Sequence, residues 1–238
     1  MITRFYKGPL KGELKQVQTQ IVSCNVCPRL VEYRQRKALV EKRASFLDWD
    51  YWGAPVPSHG DQNAKLLIVG LAPAAHGANR TGRLFTGDPS ADFLTKALHS
   101  AGFANQNSSS YQGDNLTLQN CFISSAIHCA PPSDRPFAQE LKACEHFLSA
   151  EIRSLLMLEA ILALGHIAFK QVLSALQSLS GLPFSKEKFI HGGEYDLKKH
   201  LPKLFACYHP SPRNTNTGRL NQSDIDTVFK RINYYLTL

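Results

Sequence analysis

The run Lys65-Leu-Leu-Ile-Val69 leads into Gly70-Leu-Ala-Pro-Ala-Ala-His-Gly-Ala-Asn-Arg-Thr-Gly-Arg-Leu-Phe-Thr-Gly-Asp88 and then Ser90-Ala-Asp-Phe-Leu-Thr-Lys-Ala-Leu-His99. The apolar run reads as a buried parallel strand. In the last segment Phe93, Leu94, Ala97 and Leu98 recur at helical spacing. A strand, a long turn with four glycines and a helix start follow one another as they do where α/β proteins place their ligand sites. Glycine lets backbone approach a ligand closely, and a helix start offers free N–H groups to anions. The turn exceeds the roughly 2–6 residues of an ordinary strand-to-helix connection.

Working outward, residues 12–45 are amphipathic and helical, broken at Ser23-Cys-Asn-Val-Cys-Pro28, with Pro28 suited to a first helical turn. The second helix carries Arg29, Arg34, Arg36, Lys37, Lys42 and Arg43 against Glu32 and Glu41, which fits a solvated face or a DNA-facing flank equally. Residues 46–63 are aromatic and aperiodic, a packed loop. Asn105 to Asp114 reads as a polar surface turn. Asn120 to His128 is a second strand, stopped by Cys129-Ala-Pro-Pro132. Asp134, with Pro136 behind it, is expected to cap a helix whose inward stripe is Leu141, Cys144, Phe147, Leu148, Ile152 and Leu155. Glu159 to Gly165 is a third strand, His166 to Leu179 a helix, and residues 183–200 are irregular with a turn at His191-Gly-Gly193. Lys203 to Tyr208 is a fourth strand, and a last helix starts near Ser223. Strands alternating with helices predict right-handed crossovers. The expected architecture is a three-layer α/β/α sandwich around a four-stranded parallel sheet, in a single domain over residues 1–238.

Composition narrows the function classes. With 27 Lys and Arg against 19 Asp and Glu, the chain carries a net charge of +8, compatible with a polyanionic partner. No apolar run is long enough to cross a membrane, and Met1 to Pro9 lacks the apolar core of a secretory signal. A cytoplasmic protein is expected. In that compartment six cysteines point to metal or cluster ligation, or to plain packing, rather than to disulfides.

Cys24 and Cys27 form C-x2-C before a helix, Cys129 follows the second strand and Cys144 lies 15 positions on. Four thiolates suit a tetrahedral zinc or an iron–sulfur cluster. Cys121 and Cys207 fall inside strands and read as core thiols. His209 follows the fourth strand, at the carboxyl edge that Asp88 also reaches. Asp88 can cap the helix from Ser90 and serve a site at once, and Phe85 can stack on a base or fill the core. Ser211 to Arg219 supplies hydroxyls, amides and two guanidiniums with no acid, a surface able to hold phosphates. No phosphate-loop or nucleophile-elbow motif occurs, which disfavours NTPase and serine-hydrolase readings.

Gly70 to Gly77, Asn79 to Asp88, Cys129-Ala-Pro-Pro132, His191-Gly-Gly-Glu-Tyr-Asp196 and Tyr208-His-Pro-Ser211 with Asn214 to Arg219 together resemble the uracil-DNA glycosylase superfamily. The chain looks most like its family 5, the B-type iron–sulfur enzymes of bacteria and archaea. The resemblance implies a [4Fe–4S] cluster of structural role on Cys24, Cys27, Cys129 and Cys144. It implies a base pocket formed with Gly70, Ala72, Pro73 and Ala74. It places the stacking aromatic at Phe85, the water-directing acid at Asp88 and the histidine facing the base carbonyl at His209. Ser125 stands where some relatives have an asparagine base reader. Leu71 and Ala72 stand where many members keep a carboxylate or amide, and Pro-Ser-Pro-Arg-Asn replaces the frequent Pro-Ser-Arg-Gln-Asn.

The expected activity is monofunctional, hydrolytic release of uracil and other deaminated bases from DNA, leaving an abasic site in base excision repair. Arg80, Arg83, Ser211, Arg213, Asn214 and Arg219 are expected to hold the DNA. A monomer associated with the nucleoid of a bacterium or archaeon is expected. The alternative is a catalytically weak, iron–sulfur- or zinc-stapled nucleic-acid binder of the same fold.

Overall fold

A computed structural model describes residues 12–198 and 200–237 of the protein; Met1 to Pro9, read above for a leader, lies outside them. Its helices are α1 (Glu13–Val22), α2 (Pro28–Leu39), α3 (Ala78–Thr81), α4 (Pro89–Ser100), α5 (Ala138–Ser154), α6 (His166–Ser180), α7 (Pro212–Thr215) and α8 (Gln222–Thr237). Its strands are β1 (His59–Gly60), β2 (Leu66–Gly70), β3 (Cys121–Ser125), β4 (Ala160–Leu164), β5 (Glu194–Tyr195) and β6 (Lys203–Cys207).

The sheet runs β1-β3-β2-β4-β6-β5. The four expected strands are its parallel centre, in register Leu66 with Cys121, Leu66 with Ala160 and Ala160 with Lys203. The expected four-stranded sheet is extended to six by β1 and β5, which pair antiparallel at the two edges. These strands are two residues long, too short for periodicity to mark them in sequence.

The alternation of each strand divides the core into two layers. Leu66 and Ile68 pack with Leu94, Leu98, Val228 and Phe229 from α4 and α8. Leu67 and Val69 pack with Leu148, Ile152, Phe169 and Val172 from α5 and α6. Burying a side chain of this size contributes about 1.5–3 kcal/mol, as an upper estimate. A third cluster of Val17, Ile21, Leu30, Ile127 and Phe147 ties α1 and α2 to the end of β3. Pro28 occupies the first turn of α2 as its missing N–H predicts.

Asp134 does not cap α5. Ser133 and Asp134 both take left-handed backbone, which holds the chain out of a helix there. The helix starts at Ala138, and Glu140 reaches back to accept the Phe137 amide at 2.7 Å. From β2 the neighbouring strands diverge, β3 to one side and β4 to the other. That switch point, at the carboxyl ends, is where an open α/β sheet leaves a crevice.

Candidate active site

The loop from Gly70 to Asp88 is pinned before it reaches α3. Gly70 O accepts the Ala126 amide at 2.9 Å and Leu71 O accepts the Ile127 amide at 3.1 Å, joining the exits of β2 and β3. After α3 the chain turns through Gly82 and Gly87, both at positive φ, and through Phe85 at φ 47°. A left-handed phenylalanine costs about 1–2 kcal/mol relative to ordinary backbone. Its ring is aimed by that turn at the end of β2, where a Cβ on Gly70 would come within 2.7 Å of Cε2.

Asp88 ends the loop as the N-cap of α4, its Oδ1 accepting the Ala91 amide at 3.0 Å. Burial pushes its carboxyl above the ordinary range, and the Asp92 carboxylate adds to this. The Ala91 and Ser90 amides and the Arg80 guanidinium oppose the rise. Its Oδ2 faces Gly77, where a Cβ would collide with it.

A narrow pocket opens between these groups and the end of β6. It is lined by Ala72, Ala74, Phe85, Asp88, Ser125 and His209, with Ala78, Leu84 and Ser90 completing the wall. Six residues expected at a base site thus meet in one cavity. Gly70 and Pro73 lie behind its wall, Gly70 under the Phe85 ring and Pro73 buried. The Phe85 and His209 rings are stacked, centroids 5.9 Å apart and 29° from parallel. Burial lowers the His209 pKa to about 4, so the imidazole is neutral near pH 7 and offers one N–H. Asn214 Nδ2 donates to His209 O at 2.8 Å and fixes the backbone there. Ser125 is buried and its Oγ donates to Ile127 O at 2.8 Å, so its lone pairs are what it presents to a ligand.

The expected phosphate contacts divide. Arg213 and Arg219 are exposed, Arg219 lying 4.3 Å over the Tyr208 ring, while Ser211 immediately precedes α7 and Asn214 lies on it. Arg80 and Arg83 correct the expectation, because both are buried inside the loop they were expected to project from. Arg83 pairs with Asp114 at 2.8 Å and donates to Thr86 and Ser109. Arg80 donates to His76 O and Gly87 O at 2.8 Å and is clamped between Phe46, at 3.8 Å, and Trp49, at 4.1 Å. A long loop without sheet hydrogen bonds leaves many carbonyls to satisfy, and these guanidiniums satisfy them. Phe46 and Trp49 were legible only as an aromatic loop. They wall a cleft of about 660 Å³ that also reaches Asp88.

Cys24, Cys27, Cys129 and Cys144 gather around the third apolar cluster, at the α1–α2 turn, the start of α2, the exit of β3 and the middle of α5. All are free, and burial pushes Cys129 and Cys144 up to about 12. Among the described residues no three His, Cys, Asp or Glu side chains close up as a single-ion site. Cys121 and Cys207 are fully buried in the sheet, as expected of core thiols.

A pocket at the switch point of a doubly covered parallel sheet, with an aromatic wall, a recessed carboxylate and a neutral imidazole, defines an α/β enzyme suited to a flat, hydrogen-bonding ring. The sequence profile described as the Uracil DNA glycosylase superfamily matches residues 57–234. A type-5 uracil-DNA glycosylase of Mycobacterium leprae is 44% identical over 220 residues, covering 92% of this chain and 94% of that protein. Type-5 enzymes of Pyrobaculum aerophilum and Thermus thermophilus are 42% and 43% identical, covering 93% and 87% of this chain and 92% and 90% of their own lengths. The chain belongs to the uracil-DNA glycosylase superfamily, in its type-5 branch. No described helix is long and apolar enough to cross a membrane.

Proposed function

We propose that the protein excises uracil, and other deaminated bases, from DNA by hydrolysing the N-glycosidic bond. The observation that carries this is the convergence of Phe85, Asp88, Ser125 and His209 on one pocket at the carboxyl edge of the sheet. The type-5 names of relatives at 42–44% identity support the same reading.

The target nucleotide must leave the duplex before its glycosidic bond is reachable, at a cost of a few kcal/mol. Arg213 and Arg219 offset part of that cost at the phosphates. The extruded base stacks on Phe85. As the bond breaks, negative charge grows on the base and positive charge on the sugar. The His209 N–H donates to the base oxygen, a contact of the kind worth roughly 10²–10³-fold in rate. Asp88 Oδ2 holds the attacking water and offsets the sugar's charge. No lysine lines the pocket, and the reading is of a monofunctional enzyme that leaves an abasic site.

Cys24, Cys27, Cys129 and Cys144 would hold a [4Fe–4S] cluster. Bound there, the group supplies a cross-link between the N-terminal helices, β3 and α5. Burial pushes the Cys129 and Cys144 thiols up to about 12, so a cationic centre would have to draw off their protons, and the spread of the four cysteines over three segments suits such a staple.

Duplexes carrying uracil, hypoxanthine, xanthine or mismatched thymine, incubated with the protein and cleaved by hot alkali, test the proposal. Uracil-dependent cleavage is expected, with hypoxanthine and xanthine following. The aliphatic Leu71 and Ala72 beside Pro73 favour the second reading, a binder that has lost catalysis; it predicts retained DNA binding with no cleavage of any duplex.

A further inference from the structure

Arg34 projects from α2 into the space beside the cysteine cluster and is only 2% exposed. Its Nη1 donates to Gly53 O at 3.0 Å, and its Nη2 to Asn25 Oδ1 at 2.7 Å and Cys24 O at 3.5 Å. Its Nε is buried without a partner. A guanidinium keeps its proton in proteins, so a full positive charge is enclosed here by neutral oxygens.

Other arginines show what is missing. Arg83, buried though less completely, faces Asp114, and Arg29 faces Glu140. Among the described residues Arg34 has no ion pair. A buried charge without a counter-charge is strongly unfavourable, and folds retain one only where an opposite charge stands close. The anionic candidates beside Arg34 are the cysteines: its Nη2 donates to the backbone oxygen of Cys24, the first of the four.

We propose that Arg34 is the built-in counter-charge of the centre held by Cys24, Cys27, Cys129 and Cys144. This rests on the cluster reading given above. Four thiolates carry more negative charge than a [4Fe–4S] core cancels, and the net charge and surroundings of such a centre set its potential. Arg34 supplies a fixed positive charge from a position that Asn25 and Gly53 hold rigid. It is a positioning and tuning residue, remote from the base pocket.

The test uses the purified, cluster-loaded protein and its Arg34→Lys and Arg34→Gln variants. Iron and acid-labile sulfide content, midpoint potential and the rate at which visible absorbance fades in air are read for each. Arg34→Lys keeps the charge and loses the planar fork; Arg34→Gln loses the charge and keeps a donor. Effects that follow charge are expected: Arg34→Gln lowers the potential and fades several-fold faster, or loses its iron, while Arg34→Lys stays near wild type. Equal behaviour of the two variants, whether both like wild type or both stripped of iron, overturns the proposal. Wild-type protein without iron and sulfide fails the cluster reading itself, and this inference with it.

Discussion

Asp88 Oδ2 occupies the space that a Cβ on Gly77 would need, so the carboxylate proposed to hold the attacking water and a glycine seven positions into the same loop are fitted to each other. Oδ1 meanwhile caps α4 through the Ala91 amide. The two oxygens therefore divide a structural task from the chemical one proposed for Oδ2. Asparagine caps a helix as well as aspartate does but supplies no negative charge. Asp88→Asn is expected to lose roughly 10²–10⁴-fold in single-turnover base release. Its thermal stability should be unchanged or slightly raised, because a buried charge is removed. Asp88→Ala should lose about 1 kcal/mol as well, from the missing cap. Gly77→Ala should resemble Asp88→Asn in rate by displacing Oδ2. Full activity in Asp88→Asn would remove the carboxylate from the mechanism.

His209 and His59 are both held by burial at a pKa of about 4, and His59 Nε2 donates to Leu84 O at 3.0 Å, beside Phe85. Unfolded, each takes up a proton near pH 6.5. Between about pH 6.5 and 4 the unfolded chain thus binds more protons, and stability falls as pH falls. The slope is at most about 1.4 kcal/mol per pH unit for each histidine. Asp88 acts with the opposite sign: its raised pKa means that protonation in the folded state returns stability as pH falls through that value. Urea midpoints measured from pH 7 to 4.5 should show the decline, and His59→Gln should flatten it. Base release should show no titration near pH 6.5, since folded His209 stays neutral there. A rate step at pH 6.5 that vanishes in His209→Asn would refute the neutral donor.

Most of the fold was legible because its signals are local. Leu66 to Val69, Ala160 to Leu164 and Leu204 to Cys207 are short apolar runs between breakers, and the helices keep their stripes. Asp88, a helix cap, and His209, at a strand end, were legible too, whereas Phe85 lies in the loop between α3 and α4 and Ser125 was marked only by the family resemblance. What could not be read was the direction of side chains in irregular chain. Arg80 stands in a glycine-rich loop like a phosphate ligand, yet the rings that enclose it come from Phe46 and Trp49, more than 30 positions earlier. Asp134 has the composition of a cap, and only its left-handed backbone shows that Glu140 takes the task.

That difference among arginines can be measured. Arg83 and Asp114 are a largely buried pair, with side-chain exposures of 10% and 8%. Removing one partner of such a pair costs about 3–5 kcal/mol. Arg83→Ala should therefore lower the melting temperature sharply. The salt dependence of DNA binding by its folded fraction should stay unaltered. Arg213→Ala and Arg219→Ala should each leave stability nearly unchanged and lower the slope of log K against log salt by about 1. Titrations at several salt concentrations, beside melting curves, check both halves. A reduced slope for Arg83→Ala would return it to the DNA face.

Ser125 tests how the pocket chooses its base. Its hydroxyl proton is directed at Ile127 O, so a bound base meets lone pairs that accept from an N–H. Uracil, hypoxanthine and xanthine each carry a ring N–H beside a carbonyl, whereas cytosine has no proton on the corresponding ring nitrogen. A site that only accepts at this point therefore admits all three deaminated bases and rejects cytosine. An asparagine would add a fixed donor beside the acceptor, which matches the N–H and carbonyl edge that all three bases share. Ser125→Asn is thus expected to raise release of uracil, hypoxanthine and xanthine alike by roughly tenfold, about the 1.4 kcal/mol of one added hydrogen bond, with cytosine still excluded. Ser125→Ala should lose release of all three bases by a similar factor and leave the ratio alone. Single-turnover rates on matched duplexes decide it. Release rates of the three bases unmoved by either substitution would place base selection with backbone groups of the loop from Gly70.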